Sequence, residues 1–333
     1  MKPLCTMTMA ALLGTLGTVH AATFKDARFE ALQDAGKYTE LEQLAQARFK
    51  ADPADPEASA ALSLALTLVD STDTRRLEAG ARQAKLCTDQ HPMVAVCHLA
   101  AAENLGMQMV NMGMASAMRN AGTLKQSWVR ALELDPASFT ARVQLAKLYL
   151  ALPGMMGGSS AKARDLELAV RSSQPDTARI IRAYLAAEDK KWTEMENDLL
   201  AIKASKDGAM RKEVREATLQ LAKVYLNGNK DLARAAALYE RLQRDQAESA
   251  AGYYGMSRVY AAQGKTDEAT HLLEQARTLS DAAEYPVEHR LGDAYLARGD
   301  KLAAKAAYQR YLANKRAHPA NLETVRKSMS QIN

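Results

Sequence analysis

The sequence predicts an all-α protein, a right-handed superhelical solenoid of about eight stacked helix pairs closed by a C-terminal capping helix. Two observations carry that prediction. Tyrosines recur in matching apolar contexts at Tyr149, Tyr184, Tyr225, Tyr260 and Tyr295, spaced 35, 41, 35 and 35 residues apart. The 333-residue chain is 47% hydrophobic but only 5% aromatic, and Ala and Leu dominate it. Unbranched and small side chains lose little freedom in a helix and let helices approach closely. A single globular core is unusual at this length, so a repeat array or several domains is expected.

From the N-terminus, residues 1–21 read as a cleavable secretory signal. Lys2 supplies a positive start, residues 10–13 are the densest apolar part, and Val19-His20-Ala21 offers small or short residues before a cut. Cys5 lies too early to be a lipidated cysteine, so a soluble, unanchored, periplasmic product is expected. No later stretch approaches the ~18 apolar residues of a membrane span. The remainder, 22–333, reads as one solenoid: degenerate repeats over 22–135, clearer ones over 136–317 and the cap over 319–331. Asp52-Pro53 and Asp135-Pro136 mark boundaries between helices, because proline cannot continue one. Past the signal only Cys87 and Cys97 remain. In an oxidising compartment such a pair is a candidate disulfide, with His91-Pro92 as the turn between its helices; two small buried thiols are the other reading.

The clearer repeats share a grammar. An apolar residue stands four before each tyrosine (Leu145, Ile180, Leu221, Met256 and Leu291), which marks one buried helix face. Gly264 and Gly299 follow Tyr260 and Tyr295 by four residues, and Asn227-Gly228-Asn229 follows Tyr225, each ending the helix. Second amphipathic helices come next, with Ala235, Tyr239 and Leu242, then Ala269, Leu273 and Ala276, then Ala304, Tyr308 and Tyr311. Leu291-Gly292, Tyr295, Gly299, Ala304 and Tyr308 closely resemble the tetratricopeptide repeat. The usual first-helix Trp is absent, and the period is 35. The stretch 124–136 with the loop 152–160 is similar to exported bacterial repeat proteins, among them the helical T component associated with TRAP solute transporters.

The resemblance implies that the first helix of each pair lines a concave face, with the residue two before the tyrosine pointing into the groove. Those residues are Lys147, Arg182, Lys223 and Arg258, and Asp293 breaks the series. A ladder of bases would attract an acidic segment or a terminal carboxylate; the same bases would otherwise sit on a solvated face balanced by carboxylates. Leu150, Leu185, Leu219, Leu226, Tyr254 and His289 share the register as apolar neighbours.

Three other features bear on chemistry. Met107, Met109, Met112, Met114 and Met118 crowd into twelve residues beside Cys97 and His98. Thioethers in an exported protein can hold Cu(I), but Met also fills core gaps and pliable surfaces, and Met107, Met114 and Met118 would share one face of an ideal helix. The run from Gly157 to Lys162 fails the spacing of a phosphate loop and reads as a turn, with Ser159 or Ser160 capping the next helix. None of His91, His98, His271, His289 and His318 falls in a metal-ligand pattern. No catalytic constellation, metal or cofactor is expected, and a net charge of +5 without massed bases does not suit nucleic acid. The expected function is a non-catalytic scaffold for a protein or peptide partner, an acidic one if the ladder acts together. The alternative is a small-ligand binder or transporter accessory of the TRAP T-component kind.

Overall fold

A computed structural model describes residues 23–315 and 317–332, without the side chains of residues 111, 112, 114–116 and 319. The signal expected over 1–21 lies outside the described residues. The described residues form eight successive helix pairs and a last helix, with no strand. The pairs are α1 (Ala27–Asp34) with α2 (Tyr38–Ala51), α3 (Pro56–Val69) with α4 (Thr74–Gln90), α5 (Ala95–Met112) with α6 (Met114–Leu134), and α7 (Phe139–Ala151) with α8 (Ser160–Leu168). Next come α9 (Pro175–Glu188) with α10 (Trp192–Ala201), α11 (Gly208–Lys223) with α12 (Leu232–Asp245), α13 (Ala250–Ala262) with α14 (Thr266–Arg277), and α15 (Val287–Ala297) with α16 (Lys301–Ala313). The cap is α17 (Pro319–Ser330), which buries Val325 against Tyr308 and Tyr311 of α16.

Local chemistry sets the helix ends. Asp26, Asp55, Asp73, Asp207, Asp231 and Asp300 each accept an orphan N–H of the helix that follows. Pro56, Pro175 and Pro319 open helices, where their missing N–H costs nothing. Ser159 caps α8, its hydroxyl accepting from Lys162 N.

The turn inside a pair reveals the register of the repeat. A residue with positive φ closes the first helix at Gly36, Lys190, Lys230, Gly264 and Gly299. Five residues later a buried side chain of the second helix follows in each case: Leu41, Met195, Ala235, Ala269 and Ala304. Measured from these turns, Tyr260 and Tyr295 are equivalent, Tyr225 is displaced by one residue and Tyr184 by two. A π-helical turn, Val224–Asn229, absorbs the extra residue after Tyr225.

Close approach of consecutive helices, within a pair and between pairs, rests on small residues. Gly292 of α15 lies directly beneath the Tyr308 ring of α16, and Gly255 of α13 beneath Tyr239 of α12, so that a Cβ at either position would overlap the ring. Cys87 of α4 and Cys97 of α5 are joined by a disulfide across the turn containing Pro92.

The array also touches itself over long sequence distances. Gly208 N, at the start of α11, donates to Asp34 Oδ1 at the end of α1, 3.1 Å away and 174 residues earlier. A Cβ on Gly208 would stand 2.7 Å from Asp34 Cα. Lys315, between α16 and α17, pairs with Asp70 between α3 and α4 at 2.9 Å.

Candidate functional site

Successive first helices α7, α9, α11 and α13 pack on one another and form one wall of the solenoid. In the middle of that wall the side chains satisfy each other. Glu213 of α11 is 3% exposed. It accepts from Gln144 of α7 at 2.7 Å, from Lys147 at 3.0 and 3.1 Å, and from the Tyr184 hydroxyl of α9 at 2.7 Å. Lys147 Nζ also lies 3.4 Å from Glu216 and 5.1 Å from the centre of the Tyr184 ring. Burial, reinforced by the neighbouring Glu213 carboxylate, pushes the Tyr184 hydroxyl well above its ordinary range.

Glu103 of α5 and Lys212 of α11 extend the cluster. Burial raises the Glu103 carboxyl, and Lys212 opposes the rise only in part. Burial pulls Lys212 down, but Glu103, Glu216 and Glu213 outweigh it and hold the ammonium above its ordinary value. α7, α9 and α11 are thus joined through Glu213, and Glu103 of α5 is coupled to them by charge.

Arg182 lies elsewhere. With its repeat displaced by two residues, its guanidinium turns to the second helices, meeting Asp198 of α10 at 2.7 Å and Glu167 of α8 at 2.7 Å. Glu167 is 1% exposed; burial would raise its carboxyl, but Arg171 and Arg182 overcome that and leave it lowered. Tyr184, two residues on, is the side chain of α9 that meets the first helices α7 and α11, through Lys147 and Glu213.

Two of the four expected bases therefore engage carboxylates of other helices. The other two do not. Lys223 is exposed at the end of α11, and Arg258 is half-buried on α13. Neither has a carboxylate within ion-pair distance among the described residues. Arg258 Nη1 lies 3.5 Å from the Tyr254 hydroxyl, and the Tyr254 ring stacks on Tyr285 at 5.8 Å. Burial pushes the Tyr285 hydroxyl up to about 12. Leu219 is half-buried nearby on α11. Leu226 and His289, expected in the groove, belong instead to the core. Leu226 is 7% exposed, and His289, 2% exposed, packs between Tyr308 and Tyr311.

Sequence reasoning missed the carboxylates that spend Lys147 and Arg182, and it missed Tyr285. A positive-φ lysine carries no glycine signature, so the register shift at Lys190 could have been found only from buried Met195 five residues on. The methionines also part company: Gly113, at φ 79°, ends α5 and starts α6, so Met107 and Met118 stand on different helices. The side chains of Met112 and Met114 lie outside the described residues. Cys97 is bonded to Cys87 and so is not free to join a thioether site, and His98 Nε2 is 2.9 Å from Pro92 O.

No protein-family model and no curated protein sequence matches the chain. Solved structures do. The fold is similar to that of yeast Tom70, with a TM-score of 0.63 and 13% identity over 95% of this chain and 66% of that one. It also resembles a tetratricopeptide repeat protein from Parabacteroides merdae, at a TM-score of 0.46 and 16% identity, over 79% of this chain and 94% of that one. The chain spans just under two thirds of the solved Tom70 chain. At such identities the likeness establishes the fold, an all-α solenoid of tetratricopeptide type.

Proposed function

We propose that this solenoid is a non-catalytic periplasmic scaffold that binds an acidic protein or peptide segment on the concave face of its last three repeats. The carrying observation is the contrast between the two halves of the wall of first helices. Lys147 and Arg182 are neutralised by buried carboxylates, whereas Lys223 and Arg258 have no carboxylate within ion-pair distance among the described residues, and Arg258 stands beside the Tyr254 ring that stacks on Tyr285. Unpaired bases next to aromatic faces favour a carboxylate-bearing segment, through charge-assisted hydrogen bonds and an amphipathic contact surface. Stacked repeats present such groups along a continuous face, which suits an extended chain.

Capture from envelope extract tests the assignment. Lys223→Glu with Arg258→Glu should abolish retention of the partner, while Lys147→Gln, already balanced internally, should leave retention intact once folding is confirmed. Undiminished capture by the double variant would overturn the proposal.

One observation favours the small-ligand alternative. A cavity of about 450 Å³ opens between Arg277, Tyr285, Glu288, Arg310 and Tyr311, a volume within the usual range of small-molecule sites. That reading requires a ligand-induced thermal shift that survives reversal of Lys223 and Arg258 but is lost when Ala283, on the cavity wall, is enlarged to Trp.

A further inference from the structure

The cavity of about 450 Å³ lies where the end of α14, the start of α15 and the end of α16 meet. The connection from α14 to α15 forms one side of it and is tied down twice. Asp281 accepts from Ser249 Oγ at 2.5 Å and from Ala250 N at 2.7 Å, at the start of α13. Ala283 O accepts from Asn314 Nδ2, just past α16, at 2.7 Å. The walls are thus held in place by the protein's own contacts. They are mostly apolar, with Leu279, Ala282, Val287 and Ala313 beside Tyr285 and Tyr311.

Glu288 is the one carboxylate of the lining among the described residues. Its side chain is 19% exposed, and its Oε2 is closed to solvent and accepts no hydrogen bond among the described residues. Arg310 Nη2 stands 2.9 Å from that oxygen without meeting it along an N–H bond, and the Arg310 side chain is 46% exposed. A carboxylate oxygen that has given up water without gaining a donor is costly. Arg277, the other base of the lining, is paired with Glu274 at 2.5 Å. The surroundings are acidic in a chain of net charge +5: from Glu274 to Glu288 stand Glu274, Asp281, Glu284 and Glu288 against Arg277 alone. The Tyr285 hydroxyl registers the same field. Burial raises it, Arg215 opposes the rise, and Asp281 and Glu284 add to it.

We infer that this cavity takes a small organic cation, a primary amine on an apolar body, whose ammonium donates to Glu288 Oε2. An ammonium presents three donors and supplies the one that the carboxylate lacks, in a charge-assisted bond. The apolar body lies along Leu279, Val287 and the tyrosines, whose ring faces attract a cation. Arg310 is the group that gives way, because its exposed side chain can turn to solvent as the amine arrives. An anionic ligand would instead meet Glu288 inside the cavity and Asp281 and Glu284 around it. This inference rests on the small-ligand reading above and names the class of ligand. It leaves Lys223 and Arg258 to the partner, so both places can be filled at once.

Titration calorimetry of the full chain with phenethylamine, 2-phenylethanol and 3-phenylpropanoate provides the test, since the three probes share a shape and differ in charge. Phenethylamine should bind, the neutral alcohol about tenfold more weakly, and the anion most weakly of all. Glu288→Gln keeps the shape and removes the charge, and should weaken the amine by about tenfold with unchanged circular dichroism. Arg310→Gln removes the cation that competes for Glu288 and should strengthen the amine, a direction that a purely structural ion pair would not give. A wild type that does not bind phenethylamine at millimolar concentration, or an Arg310 variant that binds it no better, would overturn the inference. Preference for 3-phenylpropanoate would overturn it while leaving the small-ligand reading standing. Amine binding undiminished by Ala283→Trp would put the amine outside the cavity and remove both.

Discussion

His289 is nearly inaccessible at 2% exposure, with its ring 5.4 Å from that of Tyr311 and 6.4 Å from that of Tyr308. Neither ring nitrogen has a hydrogen-bond partner among the described residues, and Nε2 is 3.5 Å from the Asp293 carboxylate. Burial holds the imidazole below its ordinary 6.5; Asp293 opposes that and Arg290 adds to it. A histidine lowered in the folded state binds its proton more readily when unfolded. Its penalty is therefore absent above pH 6.5 and grows as the pH falls below that value, with a slope of at most about 1.4 kcal/mol per pH unit. Urea denaturation at several pH values should show the wild type losing more stability on acidification than His289→Leu. Parallel losses in the two proteins would show that His289 stays neutral in both states or finds a partner when charged.

At the scale of the element, the turn within each pair sets the register. Gly264 and Gly299 adopt positive φ without penalty, but Lys190 and Lys230 do so at 57° and 55° with a Cβ present. Replacing Lys190 with glycine should therefore stabilise the chain by roughly 0.5 kcal/mol, the gain at the turn being offset in part by a freer unfolded chain. Lys191, at φ −86°, has no such strain, so Lys191→Gly should destabilise by a comparable amount. Chemical denaturation of the two variants gives opposite signs if the left-handed turn is what matters. The repeat grammar was legible where glycine supplied this geometry, in the last two pairs. It was misread around Tyr184, because a lysine at the turn looks like any surface lysine and the tyrosine ladder was the stronger local pattern.

For the whole molecule, the decisive contacts join residues far apart in the chain. α1 reaches α11 because Gly208 has no side chain, and the Asp34 carboxylate then bonds the first free N–H of α11. Gly208→Ala would push α1 outward, since its Cβ would stand 2.7 Å from Asp34 Cα. Amide exchange across residues 27–34 should then accelerate by about tenfold, the equivalent of roughly 1.4 kcal/mol of local opening. Gly122→Ala, in α6 with no atom near its Cβ, should instead raise stability by up to about 1 kcal/mol through helix propensity. Equal exchange in the Gly208 variant and the wild type would mean that α1 is held by its other contacts alone.

The sequence by itself determined the helical composition, the number of pairs, the terminal cap and the candidate bases, because helix propensity, capping aspartates and the spacing of apolar residues act over one or two turns of chain. It also brought Cys87 and Cys97 to the two sides of one turn, as a pair able to bond. Only the tertiary structure decided which bases are free. Lys147 is spent on Glu213, 66 residues away, and Arg182 on Glu167 and Asp198 of two other helices. Periodicity reports the face on which a side chain stands, and says nothing of which carboxylate the superhelix will carry back to meet it. The ladder of four read along the chain thus becomes two neutralised bases and two open ones, and the open pair is where we propose that the partner binds.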